Sequence, residues 1–418
     1  MALEDDVRDL CTRARRAARA LAPRPTAAKD AGLAALAAGL RAGAAEVLRA
    51  NAEDLRLAEA RGMASAMLDR LRLDEARVAA VAASVDEVRA LPDPVGELIS
   101  ESVRPSGLRV RRIRVPIGVV AMIYEARPNV TIEASALTLK SGNAIVLRGG
   151  SEAIHTNRAL AAVVSEALRE AELPVDAVQL VPFTDRDAVR ALVQQSDTVD
   201  LAIPRGGESL IRFVTEHARV PVVQHYKGVC HVFLDAGCDL AHALAIVENA
   251  KLQRPGVCNA LECLLVAESD AARLLPAIAD HLASRGCQLR GCERARAIVP
   301  PMTSATEADW GAEFLDRVLA VRVVDGLDGA LAHIARYGSG HTEAIVTPSE
   351  ASAARFRLEV DAACVAINAS TRFHDGGQMG LGAEIGIATS RLHWRGPMGL
   401  ESLTTMKWLL EGQGHVRG

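Results

Sequence analysis

The strongest constraint on the fold is an alternation of short apolar runs and helix-like segments that begins at residue 119. Residues 119–123 and 144–147 contain no polar side chain, and the segment 131–140 between them has the spacing of a helix. Such runs are typical of strands buried on both faces. Because a helix between two strands returns the chain to the end where the first strand began, consecutive strands pair in parallel. The alternation therefore predicts an α/β fold built on doubly wound parallel sheets.

The alternation extends over most of the chain, which at 418 residues is too long for one ordinary core. Aromatic residues make up only 3% of the chain, so we expect an aliphatic core of the kind that packs helices on a parallel sheet. Two or three domains are therefore expected. Further strands are predicted at 178–181, 201–203, 232–234, 261–266, 318–324 and 343–347, and further helices at 156–171, 185–194, 240–252 and 271–283.

Two regions outside this alternation have patterns of their own. The first ninety or so residues are rich in Ala, Leu, Arg and Glu and predict helices; Asn51 with Asp54 predicts a helix start, Gly62 a stop and Asp74 another start. Residues 108–115 alternate apolar and basic side chains, which predicts a strand with one exposed face. This strand is interpreted as part of an oligomerisation arm; the alternative is an ordinary edge strand.

Composition excludes several classes of protein. The net charge is −4 and no block of Lys and Arg occurs, so we expect no nucleic-acid partner. No run of about 18 apolar residues suggests a membrane span, and the acidic N-terminus lacks the apolar stretch of a secretion signal. Eight scattered cysteines favour a reduced, soluble, cytoplasmic protein. The spacing of Cys258 and Cys263 is too wide for a usual structural zinc site, so no metal is expected.

Cys258 is the candidate nucleophile. It follows a Pro-Gly turn within residues 251–260 and precedes the apolar run 261–266, so a strand would anchor the loop that presents the thiol. The alternative is a buried structural cysteine, because free cysteines are often buried. A histidine near the thiol could act as a base, and the sequence leaves the choice open among His217, His225, His231 and His341.

Three further segments could bind a ligand. Residues 148–152, Arg-Gly-Gly-Ser-Glu, follow a predicted buried strand, where small residues allow a nucleotide to approach; the alternative is a tight turn. Residues 204–209 open a predicted helix, whose N-terminus could bind phosphate. The glycine-rich stretch 380–386 has no predicted strand before it and is interpreted as a structural loop. Asn129 could donate to an oxyanion or cap a turn.

Several segments together resemble the aldehyde dehydrogenase superfamily and, within it, the branch that reduces the acyl phosphate of glutamate. The likeness covers essentially the whole chain. The segments that carry it are 113–130, 147–152, 253–260, 336–343, 368–386 and 394–404. The resemblance implies an aldehyde-dehydrogenase-like α/β fold of two doubly wound domains and a small β arm, with an NADP-binding domain at 1–103 and 119–231, a catalytic domain at 232–390 and an oligomerisation arm at 104–118 and 391–418.

The resemblance also implies a reaction, the second step of proline biosynthesis. NADPH would reduce L-glutamate 5-phosphate to L-glutamate 5-semialdehyde, with release of phosphate, through a thioester on Cys258. Asn129 would hold the developing oxyanion. The implied cofactor contacts are Arg148, Gly149, Gly150, Ser151 and Glu152 along the adenosine ribose, Arg205, Gly206 and Gly207 near the pyrophosphate, and Glu313 at the nicotinamide ribose. A homo-oligomer and functional coupling with glutamate 5-kinase are implied as well.

One departure from the superfamily pattern predicts the direction of the reaction. Oxidising members carry a glutamate that activates water, whereas the corresponding residues here, 225–231, include no acid. The rival functions are a semialdehyde dehydrogenase, a reductase of another acyl phosphate, and a thiol acyltransferase or nucleotide-binding scaffold without a hydride step. Candidates for binding the amino-acid end of the substrate are Arg127, Arg254, Ser370, Thr371 and Arg372.

Overall fold

The computed structural model describes residues 2–224 and 227–417. These residues form two compact units. The first unit runs to Gln224 and also contains Gly380–Gly386 and the chain from Met398 onward. The second unit runs to Met379 and also contains Ile387–Pro397.

The first unit begins with helices, as the composition predicts. Asp74 caps one of them by accepting the amide N–H of Arg77 at 2.7 Å, and Gly62 takes a left-handed φ of 72° just after another. The helices are α1 (Ala2–Leu21), α2 (Thr26–Ala42), α3 (Ala44–Ala60), α4 (Ser65–Leu71) and α5 (Glu75–Ala90), and the strands β1 (Leu98–Val103) and β2 (Arg109–Pro116) follow. Among the described residues no single helix has both the length and the apolar composition to cross a membrane; α2 and α3 meet those criteria together, as a pair bent by 66°.

A parallel sheet forms the body of the first unit. Its strands are β3 (Val119–Tyr124), β4 (Ala144–Gly149), β5 (Val178–Leu180) and β6 (Leu201–Arg205), and its helices are α6 (Val130–Lys140), α7 (Ile154–Glu170), α8 (Arg186–Val193) and α9 (Glu208–His217). The strand order is β5-β4-β3-β6, and every position of β3 and β4 is buried. The chain leaves β3 toward β5 on one side and returns to β6 on the other, so the topology reverses beside β3. A reversal of this kind marks the ligand-binding crevice of open α/β sheets.

The predicted helix start at Asn51 and Asp54 is wrong. Both residues lie inside α3 and are buried. The Asp54 carboxylate accepts the backbone N–H of Thr156 at 2.7 Å in the first turn of α7, so it satisfies a helix start that is distant in sequence. Asn51 donates to the carbonyl oxygen of Leu71 at 2.9 Å. The side chains are of the capping type, but tertiary contacts decide which backbone groups they bind.

The second unit is built on a larger parallel sheet. Its strands are β7 (Cys230–Leu234), β8 (Leu261–Ala267), β9 (Gln288–Gly291), β10 (Thr303–Ser304), β11 (Val318–Val324), β12 (Thr342–Val346) and β13 (Cys364–Ile367), in the order β10-β9-β11-β8-β7-β12-β13. Its helices are α10 (Leu240–Leu252), α11 (Glu268–Ala283), α12 (Glu293–Ile298), α13 (Gly326–Tyr337) and α14 (Glu350–Glu359). A short antiparallel pair, β14 (Ile387–Ala388) and β15 (Gly396–Pro397), follows. The sequence missed β9, β10 and β13, which are short and partly exposed and so lack an apolar run.

The alternating strand β2 lies at the centre of a separate antiparallel sheet. It pairs with β1 on one side and with β16 (Thr404–Glu411) on the other. The edge-strand alternative is therefore wrong. The basic side chains of β2 meet acids and aromatics of their neighbours: Arg114 binds Glu97 at 2.6 Å, and the Arg112 guanidinium lies 5.4 Å from the Trp408 ring centroid. The Trp408 side chain is still 62% exposed. The role of this arm in oligomerisation remains a prediction.

Candidate active site

The first unit brings its two predicted nucleotide segments to one edge of the sheet. Tyr124, the last residue of β3, lies opposite Gly149 of β4 and Arg205 of β6. Because these strands are parallel, the segments 148–152 and 205–207 leave the sheet at its carboxyl edge on either side of the loop 125–129. This is the edge where parallel sheets bind ligands.

The N-terminus of α9 at this edge already holds a carboxylate. The Glu125 side chain accepts the backbone N–H of Gly207 at 3.0 Å. Gly206 is packed so closely that a Cβ there would lie 2.4 Å from the same carboxylate oxygen. A helix N-terminus attracts anions through its free amides and its dipole. A phosphate bound at this point would share the Gly207 amide with Glu125 or displace the carboxylate.

The segment 148–152 is tied down by its own side chains. The buried Arg148 guanidinium donates to the carbonyl oxygens of Thr184 and Asp185, the second at 3.2 Å. The Glu152 carboxylate accepts the backbone N–H of Ala126 at 2.5 Å, and Ser151, which is exposed, begins a short 3-10 turn that ends at the buried Ala153. In this structure Arg148 therefore supports the loop 184–185. Its contact with the ribose phosphate of a cofactor stays a prediction.

Asn129 does not cap the turn, which was the alternative to an oxyanion role. Its backbone is already helical at the start of α6, and its side-chain amide donates to the Glu133 carboxylate at 3.0 Å. The side chain is half-buried. Glu133 therefore orients the Asn129 side chain through one of its two N–H groups, which leaves the amide with a second N–H to donate.

In the second unit, Cys258 lies in the loop between α10 and β8, at the amino end of the strand, and is half-buried. A buried ion pair joins the two ends of this loop: Lys251 Nζ lies 2.6 Å from Glu262 Oε2, and both side chains are fully buried. The other Glu262 oxygen accepts the backbone N–H of Leu315 at 3.2 Å. Burial raises the pKa of Glu262 to about 7, and Lys251 opposes that shift. We call Lys251 and Glu262 the loop clamp. Its sequence signal is the single acid within the apolar run 261–266.

Three groups fix the backbone of Cys258 itself. A Cβ on Gly228 would lie 1.9 Å from the Cys258 carbonyl oxygen, so a side chain at this position cannot fit. Cys230 donates its S–H to the same carbonyl at 3.2 Å, and burial keeps the pKa of the Cys230 thiol well above its usual value. Glu313 accepts the backbone N–H of Gly228 at 2.9 Å. Two of the predicted site residues, Cys258 and Glu313, therefore both contact Gly228.

The turn 371–374 packs on the other side of the loop. The Arg372 guanidinium donates to the side-chain oxygen of Asn259 and to that of Gln253, the second at 2.9 Å. Thr371 donates to the carbonyl oxygen of Asn259 at 2.7 Å. Burial lowers the pKa of Arg372, whereas the nearby charges of Asp375 and Cys258 raise it. Arg372 therefore holds the side chain of Asn259, the residue that follows Cys258.

The candidate bases are separated by the fold. His341 is buried at the amino end of β12, and its Nδ1 lies 3.7 Å from Cys230 Sγ, which links it to the Cys258 carbonyl. His231 instead pairs with Glu343, with 2.8 Å between Nδ1 and the carboxylate. His217 lies on α9 of the first unit, where its ring pairs with the Phe213 carbonyl at 2.8 Å. His225 lies outside the described residues.

The sequence matches the profile of the aldehyde dehydrogenase family over residues 1–317. A gamma-glutamyl phosphate reductase from Sorangium cellulosum is 59% identical over 420 residues, which cover 99% of this chain and 98% of that protein. One from Xanthomonas oryzae is 54% identical over 98% of this chain and 99% of its own length.

Solved structures of similar proteins support the same family assignment. The crystal structure of a gamma-glutamyl phosphate reductase from Thermotoga maritima superposes with a TM-score of 0.97 at 45% identity, covering 99% of this chain and 100% of that one. An acetylating aldehyde dehydrogenase from Geobacillus thermoglucosidasius, 17% identical, shares the fold with a TM-score of 0.72 over 100% of this chain and 98% of its own. The chain therefore belongs to the aldehyde dehydrogenase family of oxidoreductases, and within it to the gamma-glutamyl phosphate reductases.

Proposed function

We propose that this protein uses NADPH to reduce L-glutamate 5-phosphate to L-glutamate 5-semialdehyde with release of phosphate, the second step of proline biosynthesis from glutamate. The observation that carries the proposal is the Cys258 loop. The Cys258 thiol is half-buried, and Gly228 and Cys230 fix the backbone of Cys258. The loop clamp joins the two ends of the loop. The full-length relatives named for the reduction of gamma-glutamyl phosphate indicate which acyl phosphate the thiol attacks.

The first unit fits a nicotinamide dinucleotide. The N-terminus of α9 binds the Glu125 carboxylate, and this supports an anion site here, at which a pyrophosphate would share the Gly207 amide or displace the carboxylate. We assign Arg205, Gly206 and Gly207 to that group, and Arg148, Gly149, Gly150, Ser151 and Glu152 to the adenosine ribose. In the second unit, Glu313 can accept hydrogen bonds from ribose hydroxyls. We favour NADPH because Arg148 lies at the carboxyl end of β4, where its guanidinium could bind a 2′-phosphate. To do so, it would either retain its hydrogen bonds to the carbonyl oxygens of residues 184–185 or give them up for hydrogen bonds to the phosphate.

The first chemical step is formation of a thioester on the sulfur of Cys258. The Cys258 thiolate attacks the γ-carbonyl carbon of the acyl phosphate, and the carbonyl electron pair moves onto oxygen. We assign Asn129 as an amide donor to that oxyanion. The oxyanion collapses, the carbon–oxygen bond to phosphate breaks, and phosphate leaves with the electron pair. The product is a thioester on Cys258.

The second step depends on keeping water away from the thioester. When bound, the nicotinamide supplies the hydride that takes the acyl carbon to the aldehyde level. Cys258 then leaves as a thiolate and is regenerated. Residues 225–231 carry no acid that could activate water, and Gly228 in this segment lies against the Cys258 backbone. This favours reduction over hydrolysis and distinguishes the protein from a hydrolytic semialdehyde dehydrogenase.

The test replaces the nucleophile and measures both directions. In Cys258→Ser, NADPH binding should be retained, while reduction of the acyl phosphate and phosphate-dependent oxidation of the semialdehyde should both fall by about 10³-fold or more. Cys238→Ala, which removes a buried thiol elsewhere in the second unit, serves as the control. Turnover at the parent rate in Cys258→Ser would contradict the assignment. Semialdehyde oxidation without phosphate in the parent protein would favour the hydrolytic rival.

We further propose that the protein is a cytoplasmic homo-oligomer, functionally coupled to glutamate 5-kinase, which makes its labile substrate. The eight free cysteines fit a reducing compartment. One face of the sheet of β1, β2 and β16 supplies an apolar surface suited to a second copy, because three alternate side chains of β16 are exposed on it. These side chains are Met406, Trp408 and Leu410.

A further inference from the structure

The core of the second unit contains a cluster of potential metal ligands away from the Cys258 loop. His231 on β7, Cys263 on β8 and His333 on α13 place one ring nitrogen or sulfur each within 4.8 Å of one another. All three side chains are buried, with exposures of 0%, 0% and 4%. Because the residues come from three elements far apart in sequence, no ligand spacing in the sequence reveals them. We call these three residues the buried triad.

His231 is oriented as metal-binding histidines commonly are. Its Nδ1 lies 2.8 Å from the Glu343 carboxylate, which can only accept, so Nδ1 carries the hydrogen. The other ring nitrogen, Nε2, is buried and has no hydrogen-bond partner within the part of the chain that the structure describes. A carboxylate behind a histidine fixes the tautomer and leaves the opposite nitrogen free to bind a metal. An unsatisfied polar atom in a core costs free energy, so a ligand at Nε2 would relieve that cost.

The ligand set selects the ion. Two imidazoles and a thiolate are typical of Zn²⁺ and disfavour Ca²⁺ or Mg²⁺, which prefer oxygen. The thiolate of Cys263 and the carboxylate of Glu343 offset the two positive charges of the ion, and the Arg322 guanidinium beside His333 would add a third unless it withdraws. On binding, the S–H bond of Cys263 and the Nε2–H bond of His231, whose pKa Glu343 helps to raise to about 10, both break. Sulfur–zinc and nitrogen–zinc bonds form, and two protons go to solvent.

His333 needs a rearrangement before it can bind. In this structure Arg322 Nη1 lies 3.0 Å from His333 Nδ1, and because a guanidinium only donates, Nδ1 accepts. The hydrogen is therefore on Nε2, 3.5 Å from Cys263 Sγ. Metal binding through Nε2 requires that this hydrogen move to Nδ1 and that Arg322 withdraw. The Arg322 guanidinium also lies 5.2 Å from the Trp310 ring centroid, so its withdrawal changes the surroundings of a tryptophan.

We propose that His231, Cys263 and His333 bind one Zn²⁺ ion in the core of the second unit, with Glu343 as the group that orients His231. The ion would join β7, β8 and α13. Since β8 begins directly after the Cys258 loop, the ion would also stiffen the strand that anchors the nucleophile.

Cobalt provides the test, because Co²⁺ substitutes for Zn²⁺ and shows a charge-transfer absorption band when a thiolate binds it. Full-length Cys258→Ala protein, which lacks the half-buried thiol of the loop, is stripped of metal and titrated with Co²⁺ and then with Zn²⁺. We expect one equivalent of Co²⁺ to produce the thiolate band, Zn²⁺ to remove it, and the tryptophan fluorescence, to which Trp310 contributes with Trp394 and Trp408, to change in step. Glu343→Gln should weaken binding about 10- to 100-fold.

Two variants in the same background decide the outcome. Cys263→Ala should abolish the thiolate band and the stabilisation by Zn²⁺ against heating, whereas Cys287→Ala, which removes another buried thiol of this unit, should keep both. His333→Gln gives a second check at a different ligand. Absence of a stoichiometric band in the Cys258→Ala protein, or its persistence in Cys263→Ala, would overturn the proposal.

Discussion

The two parallel sheets of this protein carry their candidate functional groups at opposite ends of their strands. In the first unit, segments 148–152 and 205–207 follow the carboxyl ends of β4 and β6. In the second unit, Cys258 and His341 precede the amino ends of β8 and β12, and Glu313 lies in the segment before β11. The same architecture thus presents different chemistry at its two edges.

The difference follows from the helices that adjoin each edge. A carboxyl edge leads into helix N-termini such as that of α9, whose amides and dipole favour anions. An amino edge follows helix C-termini such as that of α10, whose partial negative charge does not favour a thiolate. The second unit therefore needs side-chain contacts to position its nucleophile. Arg372, which binds Asn259 beside Cys258, and the loop clamp supply these contacts.

The largest expected effect tests whether the loop clamp stabilises the amino edge of the second unit's sheet. Lys251→Met leaves the Glu262 carboxylate buried without its partner, so we expect a loss of about 3 to 5 kcal/mol in the free energy of unfolding of the second unit. Chemical denaturation measures this. The double variant Lys251→Met with Glu262→Leu is the control, because it removes both charges and should recover most of the loss. Equal destabilisation in the single and double variants would contradict the clamp.

A smaller effect tests the backbone of the nucleophile. Gly228→Ala forces a Cβ against the Cys258 carbonyl, a backbone group that cannot rotate away, so kcat should fall about 100-fold. Gly256→Ala lies in the same loop with its nearest neighbour 3.7 Å from the new Cβ, and it should be nearly neutral. Steady-state kinetics of both variants provides the comparison. If the two alanines behaved alike, close packing at Gly228 would not position the thiol.

The next effect concerns pH at the amino edge. Burial lowers the pKa of His374 from 6.5 to about 3, so between these values the unfolded chain binds a proton that the folded protein does not. Stability should therefore fall as pH drops below 6.5, by up to about 1.4 kcal/mol per pH unit. His374→Gln should reduce that slope in denaturation measured from pH 7 to 4, while any difference above pH 7 stays constant. An unchanged slope would show that His374 does not control it.

The smallest effect belongs to the carboxyl edge of the first unit. A Cβ on Gly206 meets the Glu125 and Leu210 side chains, which can move, so Gly206→Ala should raise the KM for NADPH up to about tenfold and leave kcat nearly unchanged. A fall in kcat with an unchanged KM would argue against a cofactor at this edge.

Much of the fold was predictable because period and polarity are local properties. The apolar runs at 119–123 and 144–147 became β3 and β4, and the predicted helix at 240–252 coincides with α10. Asn51 and Asp54 were misassigned because a capping side chain can bind a helix start far away in sequence, as Asp54 does at Thr156. Short strands such as β9 escaped prediction because their partners, and not their own apolar runs, hold them in the sheet.

The sequence alone determined the fold class, the Cys258 loop and the segments that carry the family resemblance, because these depend on residue types and near neighbours. Only the tertiary structure decided which groups meet: Gly228 and Cys230 at the Cys258 carbonyl, Lys251 with Glu262, and the three ligands of the buried triad. The physical reason is the short distance over which these interactions act. Hydrogen bonds, ion pairs and metal coordination act over a few ångströms, and the chain brings residues within that distance only after its sheets have formed.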